Sequence, residues 1–148
     1  MNVTIYLEST IQGPVKKAAA GMYLIEYILQ DGTPVTREDV IYQDETTEQA
    51  MILILLTAAL KRLTKTCSVL INIRNGGILA AFENGWMEQW HDRGWKKANG
   101  KPVQNAELWQ QAFEEMAKHE VLVVNEGNTY YPAMETEMKE MLRRHGHV

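Results

Sequence analysis

Residues 86–109 read WMEQWHDRGWKKANGKPVQNAELW and hold all four tryptophans of the 148-residue chain. The same window contains the cations Arg93, Lys96, Lys97 and Lys101. Cations bind phosphates with release of counterions, and an aromatic ring can pack on a sugar or base, so this mixture suits contact with a nucleic-acid backbone. The alternative is a tryptophan-rich helix pair that packs on itself beside a solvated lysine loop, and composition alone favours it.

The chain before this segment divides into strands and one apolar helix. Strands are predicted over residues 3–7, 18–29 and 35–42, and the Asp31-Gly32 pair predicts a tight hairpin turn between the second and third. Thr46 or Thr47 suits the N-cap of a helix that contains MILILLTAALKRL. That segment is apolar nearly all round, which indicates a helix buried on most of its surface.

Two further strands and three further helices are predicted beyond that helix. A strand at 68–73 precedes a helix at about 78–90, and a helix at about 105–119 precedes a strand at 121–125 and a last helix opened by Pro132. The resulting order is β-β-β-α-β-α-α-β-α. It predicts an α/β fold with a mixed five-stranded sheet, three antiparallel strands then two helix-separated strands, and helices on both faces. We expect one domain over residues 1–148.

Composition and charge exclude several classes of protein. With 45% hydrophobic and 23% charged residues the chain is globular, and its net charge of −4 argues against a protein coated with polyanion. A single cysteine, Cys67, excludes a disulfide framework. The longest apolar run, 51–59, is about half of a membrane span, and no signal peptide is visible. We expect a cytoplasmic protein with no membrane partner, and a monomer is favoured.

The order of residues in the first segment resembles the handle region of type 1 ribonuclease H. The resemblance rests on Trp86-x3-Trp90-x2-Arg93-Gly94-Trp95-Lys96, followed by Lys101-Pro102-Val103-x-Asn105-x2-Leu108-Trp109. It extends over the whole chain, because the order of strands and helices is also that of the family. It implies a ribonuclease H-like fold whose handle, residues 86–109, binds an RNA/DNA hybrid or duplex. The implied contacts are Thr47, Trp86, Arg93, Trp95, Lys96, Lys97 and Lys101.

The resemblance also identifies four positions where the family carries catalytic carboxylates. Ribonuclease H cleaves the RNA strand of a hybrid with two magnesium ions held by four acids, since only surrounding anions can hold two such cations together. In this sequence the positions correspond to Glu8, Ile52, Arg74 and Glu137. Glu135 is the alternative in the last helix, because the preceding loop is hard to align.

The four carboxylate positions thus keep two acids, lose one and reverse the charge of one. The summed charge of the four side chains, expected near −4 in the family, becomes about −1. This charge does not suit two divalent cations. We therefore expect no cofactor, and Mg²⁺ or Mn²⁺ only if an altered site is active. The guanidinium of Arg74 stays protonated, so we predict that it replaces the metals by bridging Glu8 and Glu137.

Three functions remain open on the sequence alone. The first is a catalytically degenerate ribonuclease H that keeps a nucleic-acid-binding handle. The second is a working nuclease with an altered site, using Glu8, Glu137 and a displaced acid such as Glu48, which lies one helical turn before Ile52. The third is a protein-interaction scaffold on the same fold.

Overall fold

The computed structural model describes residues 1–147 and contains five strands and five helices in that range. The strands are β1 (Asn2–Ser9), β2 (Lys17–Ile28), β3 (Pro34–Thr46), β4 (Ser68–Asn72) and β5 (Glu120–Val124). The helices are α1 (Glu48–Lys61), α2 (Gly76–Glu83), α3 (Trp86–Asp92), α4 (Ala106–Met116) and α5 (Tyr131–Arg144). The predicted α/β fold is confirmed.

The strands form one mixed sheet in the order β3-β2-β1-β4-β5. The pairs β1–β2 and β2–β3 are antiparallel, whereas β1–β4 and β4–β5 are parallel. Parallel neighbours end at the same edge of a sheet. The topology alone therefore places two residues at one edge of the sheet: Glu8, near the end of β1, and Arg74, just after β4.

Helix α1 lies on one face of the sheet and forms the centre of the main core. Its Met51, Leu53 and Leu55 are fully buried, which confirms the helix predicted from the all-round apolar pattern. The close approach to β2 depends on Gly21, where a Cβ would lie 2.7 Å from Leu55 Cδ1 and from the Met51 side chain. A larger residue at position 21 would force the side chains of Met51 and Leu55 to shift.

Helix α5 covers part of the opposite face and forms a second, smaller core. Met134 and Met138 are buried against Ala20, Met22 and Leu24 of β2. These β2 residues alternate with those that face α1, as the two-residue period of a strand requires. Helices therefore lie on both faces, as predicted.

The predicted helix at about 78–90 is in fact two helices, α2 and α3. The backbone at Gly85 adopts a left-handed conformation with φ of 67°, and Gly85 N donates to Phe82 O. Glycine takes this conformation without steric cost, so it ends one helix and redirects the chain into the next. Within residues 1–147, no helix has both the length and the apolar character that crossing a membrane requires.

Candidate active-site cleft and nucleic-acid interface

A small cleft of about 70 Å³ opens at the edge of the sheet where β1 and β4 end. Glu8 enters it from β1, Arg74 from the residues after β4, and Glu48 and Ile52 from the first turns of α1. The structure therefore brings together three of the four positions that the sequence assigned to family carboxylates. Ile52, at 3% exposure, contributes an alkyl wall there and no ligand.

The centre of this cleft is an ion pair between Glu8 and Arg74. Arg74 Nε lies 3.2 Å from Glu8 Oε1 and 3.3 Å from Oε2, which confirms the predicted pairing of these two residues. Glu8 is buried, and Asn128 Nδ2 donates a second hydrogen bond to its Oε2 at 2.9 Å. A buried carboxylate needs such partners, because an unpaired charge is costly away from water.

The other half of the predicted bridge, from Arg74 to Glu137, is wrong. Glu137 is exposed on α5, since Met134 and Met138 occupy the inward face of the helix. The neighbour that reaches Arg74 is Tyr131, whose ring centroid lies 4.3 Å from Cζ of the guanidinium. This is a cation–π contact at the first residue of α5.

Glu135 is linked to the cleft through Tyr131. The Tyr131 hydroxyl donates to Glu135 Oε2 at 2.8 Å, and this bond, together with burial, raises the pKa of Tyr131. The same bond, followed by the charge of Lys139, lowers the pKa of Glu135. Glu135 is therefore the acid of α5 that is connected to the cleft, through Tyr131. It is the alternative that the sequence left open.

Glu48 and Thr47 are both engaged in local structure at the start of α1. Glu48 Oε1 accepts from Gly13 N at 2.9 Å, which ties the β1–β2 loop to the helix. Thr47 is buried, and its hydroxyl oxygen accepts from Ala50 N as the predicted N-cap. The nucleic-acid contact expected of Thr47 must compete with this capping role.

The side chains around the cleft do not fit a pair of divalent cations. Within residues 1–147, no three His, Cys, Asp or Glu side chains are grouped closely enough to hold a metal ion. Glu8 Oε2 already accepts hydrogen bonds from Arg74 and Asn128, Glu8 Oε1 lies 3.2 Å from Arg74 Nε, and Glu48 is turned toward Gly13. Two adjacent magnesium ions need anionic oxygens that are free to bind them, and the acids of this cleft are engaged by other donors.

The handle presents its cations on a loop between α3 and α4. The side chains of Arg93, Lys96, Lys97 and Lys101 are exposed, and none of them forms an ion pair within the described part of the chain. The loop is closed by a bridge between Lys96 and Pro102 and by Lys97 N donating to Lys101 O at 2.8 Å. These bonds hold several positive charges on one ordered protrusion.

Trp95 supports this loop from inside, and the nucleic-acid contact predicted for it is corrected accordingly. It is 8% exposed and packs edge-on against Phe113 of α4, with ring centroids 5.7 Å apart. Val103 N donates to Trp95 O, so the residue joins both sides of the loop. Its ring therefore offers little surface to a base, whereas Trp86 is 40% exposed.

Comparison with known proteins places this geometry in a family. The model of the RNase H family matches residues 1–125, which include the cleft residues of β1, of α1 and of the segment after β4, together with the whole handle. The chain belongs to the RNase H family. The match ends before α5, the helix for which the sequence left Glu135 and Glu137 as alternatives.

Relatives and solved structures agree with this membership. The ribonuclease H of Chlorobium luteolum is 34% identical over 119 residues, covering 80% of this chain and 77% of that protein. The ribonuclease H of Lachnoclostridium phytofermentans is 29% identical over 121 residues, covering 82% and 77%. The crystal structure of LC9-RNase H1, a type 1 RNase H with the type 2 active-site motif, covers 95% of this chain and 69% of that one, with a TM-score of 0.74 and 21% identity.

Two residues that complete the cleft of this RNase H-family chain were not predicted from the sequence as site residues. Asn128 orients Glu8, and Tyr131 lies against Arg74. The loop that carries Asn128 is held by Asn72 at the end of β4, whose Oδ1 accepts from Glu126 N at 3.1 Å and whose Nδ2 donates to Gly127 O. The only sequence signal at this position is the Gly127-Asn128 pair, which is typical of a turn. It does not indicate which residue the Asn128 side chain contacts.

Proposed function

We propose that this protein binds nucleic acid, as an RNA/DNA hybrid or duplex, and cleaves it little or not at all. The observation that carries the proposal is the set of exposed handle cations on an ordered loop, which form no ion pair within residues 1–147. A structured protrusion of this kind loses little conformational entropy when it meets phosphates, and it releases counterions from the duplex. Arg93, Lys96, Lys97 and Lys101 are the expected phosphate contacts, with Trp86 as the available ring.

The ligand class is supported by a structural relative. A foamy virus protease–reverse transcriptase solved in complex with an RNA/DNA hybrid covers 93% of this chain and 19% of that one, with a TM-score of 0.69 and 13% identity. We extend its ligand to this chain because the handle offers matching charge. We further propose that the chain acts as a single monomeric domain over residues 1–148, in the cytoplasm.

The proposed loss of cleavage follows from the chemistry of the cleft. Two-metal hydrolysis requires anions that hold both cations against their mutual repulsion. Here Ile52 supplies no charge, and Arg74 supplies a positive one that occupies the carboxylate of Glu8. A guanidinium remains protonated at every pH a protein tolerates, so it competes with a cation for that acid under all useful conditions.

Binding is tested with a fluorescently labelled RNA/DNA hybrid, by anisotropy over a range of salt concentrations. We expect Lys96→Ala/Lys97→Ala to weaken binding at least about tenfold and to reduce the salt slope by roughly 1.5–2, as for two lost phosphate contacts. The control is Lys61→Ala/Lys65→Ala, which makes the same charge change near the far end of α1. Equal effects of both pairs would refute a specific role for the handle.

Cleavage is tested with the same hybrid at high protein concentration, with Mg²⁺ and with Mn²⁺. We expect the wild type to show no more cleavage than the Glu8→Ala control. The double variant Ile52→Glu/Arg74→Asp restores an acid at both altered positions, and we expect it to gain metal-dependent cleavage. Turnover by the wild type that Glu8→Ala removes would contradict the proposal.

That last outcome would favour the second candidate, a nuclease with an altered metal site. The observation in its favour is that Glu48 lines the same cleft as Glu8, one helical turn from Ile52. Activity would then require Glu48 to leave Gly13 N, so Glu48→Gln should abolish turnover together with Glu8→Ala. A protein that shows neither binding nor turnover would instead be a scaffold.

A further inference from the structure

The guanidinium of Arg74 is held at one edge and open at the other. Its Nε faces Glu8, whereas its two terminal nitrogens donate to no protein atom in the described part of the chain. The Arg74 side chain is 53% exposed although the Glu8 side chain is only 6% exposed. The ion pair therefore has a buried acidic side and a cationic side that faces solvent above the cleft.

Neighbouring groups fix the direction in which this open edge points. Tyr131 lies 4.3 Å from Cζ and supports the guanidinium, while Asn128 Nδ2 holds the carboxylate of Glu8 at 2.9 Å. Asn128 is itself fixed, because its Oδ1 accepts from Tyr130 N at 2.9 Å. A long arginine side chain normally loses rotamer entropy when it binds a ligand, and here part of that ordering is already complete.

We propose that Arg74 binds a backbone phosphate of the nucleic acid directly, through its terminal nitrogens and without a metal ion. This inference rests on the proposed function, since it assigns a second contact to the same ligand. The planar guanidinium matches a phosphate with two parallel hydrogen bonds, which an ammonium group cannot do. Arg74 thus stands between Glu8 and the phosphate, and the altered cleft contributes to binding where its acids would otherwise repel the ligand.

The charges around Arg74 are compatible with this assignment. Glu8 and Arg74 together are neutral, and Glu48 accepts the Gly13 amide on the other side of the cleft. Helix α2 begins two residues after Arg74, and its first-turn N–H groups place partial positive charge at the same edge. A phosphate that approaches the open edge therefore meets the two terminal nitrogens of Arg74.

The test measures the affinity of a labelled RNA/DNA hybrid in EDTA across salt concentrations. Arg74→Gln keeps a donor for Glu8 but removes the charge, and we expect about tenfold weaker binding and a salt slope smaller by about 0.7–0.9. Arg74→Lys should restore the slope but only part of the affinity, because it loses the paired hydrogen bonds. Thermal unfolding of each variant verifies that it is folded.

The double variant Glu8→Gln/Arg74→Gln separates phosphate binding from mere neutralisation of Glu8. If Arg74 only cancels the charge of Glu8, the double variant regains wild-type affinity. If Arg74 contacts phosphate, the double variant remains at least about fivefold weaker, as one charged hydrogen-bonding group is still missing. Recovery to within twofold of the wild type would overturn the inference.

The handle variant Lys96→Ala/Lys97→Ala, measured in parallel, distinguishes the two proposals. Loss of affinity in the handle variant with no change in Arg74→Gln overturns the Arg74 contact and leaves the proposed function intact. Absence of hybrid binding by the wild type overturns both. Weakening in both variants, with the double variant Glu8→Gln/Arg74→Gln still weak, supports both.

Discussion

Replacing Trp95 by alanine should lower the stability of the protein strongly. It should remove no direct contact with nucleic acid. A tryptophan buries about 150–250 Å² of surface, which at about 25 cal/mol per Å² corresponds to an upper bound of about 4–6 kcal/mol. Trp95 is 8% exposed and packs against Phe113 on a loop that can partly relax. We therefore expect Trp95→Ala to lower the free energy of unfolding by about 3 kcal/mol.

Urea denaturation followed by circular dichroism measures this loss, and hybrid affinity is measured well below the transition. Trp86→Ala is the matched control, because Trp86 is 40% exposed and the same area argument gives a smaller cost of about 2 kcal/mol. We expect Trp86→Ala to weaken hybrid binding directly. The reasoning is refuted if Trp95→Ala costs under 1 kcal/mol while it abolishes binding, since the ring would then contact the ligand.

Four other changes test separate features of the structure. Gly21→Ala should cost about 1–3 kcal/mol in urea denaturation, because its Cβ would lie 2.7 Å from Met51; a loss below 0.5 kcal/mol would contradict that packing. Asn105 has φ of 60°, so Asn105→Ala should be about 1 kcal/mol less stable than Asn105→Gly in the same assay, and equal stability would rule out backbone strain. The hydrogen bond to Glu26 raises the pKa of Tyr130 from 10.0 to about 12, so the unfolded chain loses this proton first as the pH rises. The stability that this bond supplies is complete below pH 10 and is lost toward about pH 12, so the Tm should fall more steeply in the wild type than in Tyr130→Phe. Addition of Mg²⁺ should leave the Tm of the wild type unchanged, since a ligand stabilises only the state that binds it; a rise that depends on Mg²⁺ concentration would reveal a metal site.

Much of the fold could be predicted from sequence because its signals are local. The Asp31-Gly32 turn, the Thr47 cap and the all-round apolar α1 each depend on neighbouring residues, and all three are present. The division between α2 and α3 was missed because the residues on both sides of Gly85 are compatible with one continuous helix. The left-handed backbone at Gly85 separates the two helices.

The candidate site was predicted less completely, because its contacts join residues distant in sequence. The Glu8–Arg74 pair followed from the family positions and opposite charges, and the structure contains it. The burial of Trp95 depends on Phe113 in the next helix, and the orientation of Glu8 depends on Asn128, 120 residues away. No periodicity in a sequence reports such pairings.

The small core beneath α5 makes the α5 side of the cleft less stable than the rest of the protein. α5 packs on the sheet through Met134 and Met138, in a cluster separate from the one that encloses α1. A segment with so few buried anchors detaches more often than the whole molecule unfolds, so its amides should exchange with solvent deuterium faster than those of α1. Each detachment would carry Tyr131 away from Arg74 while the handle, anchored in the main core, remained in place. The two proposed contacts with nucleic acid would thus be available for different fractions of time.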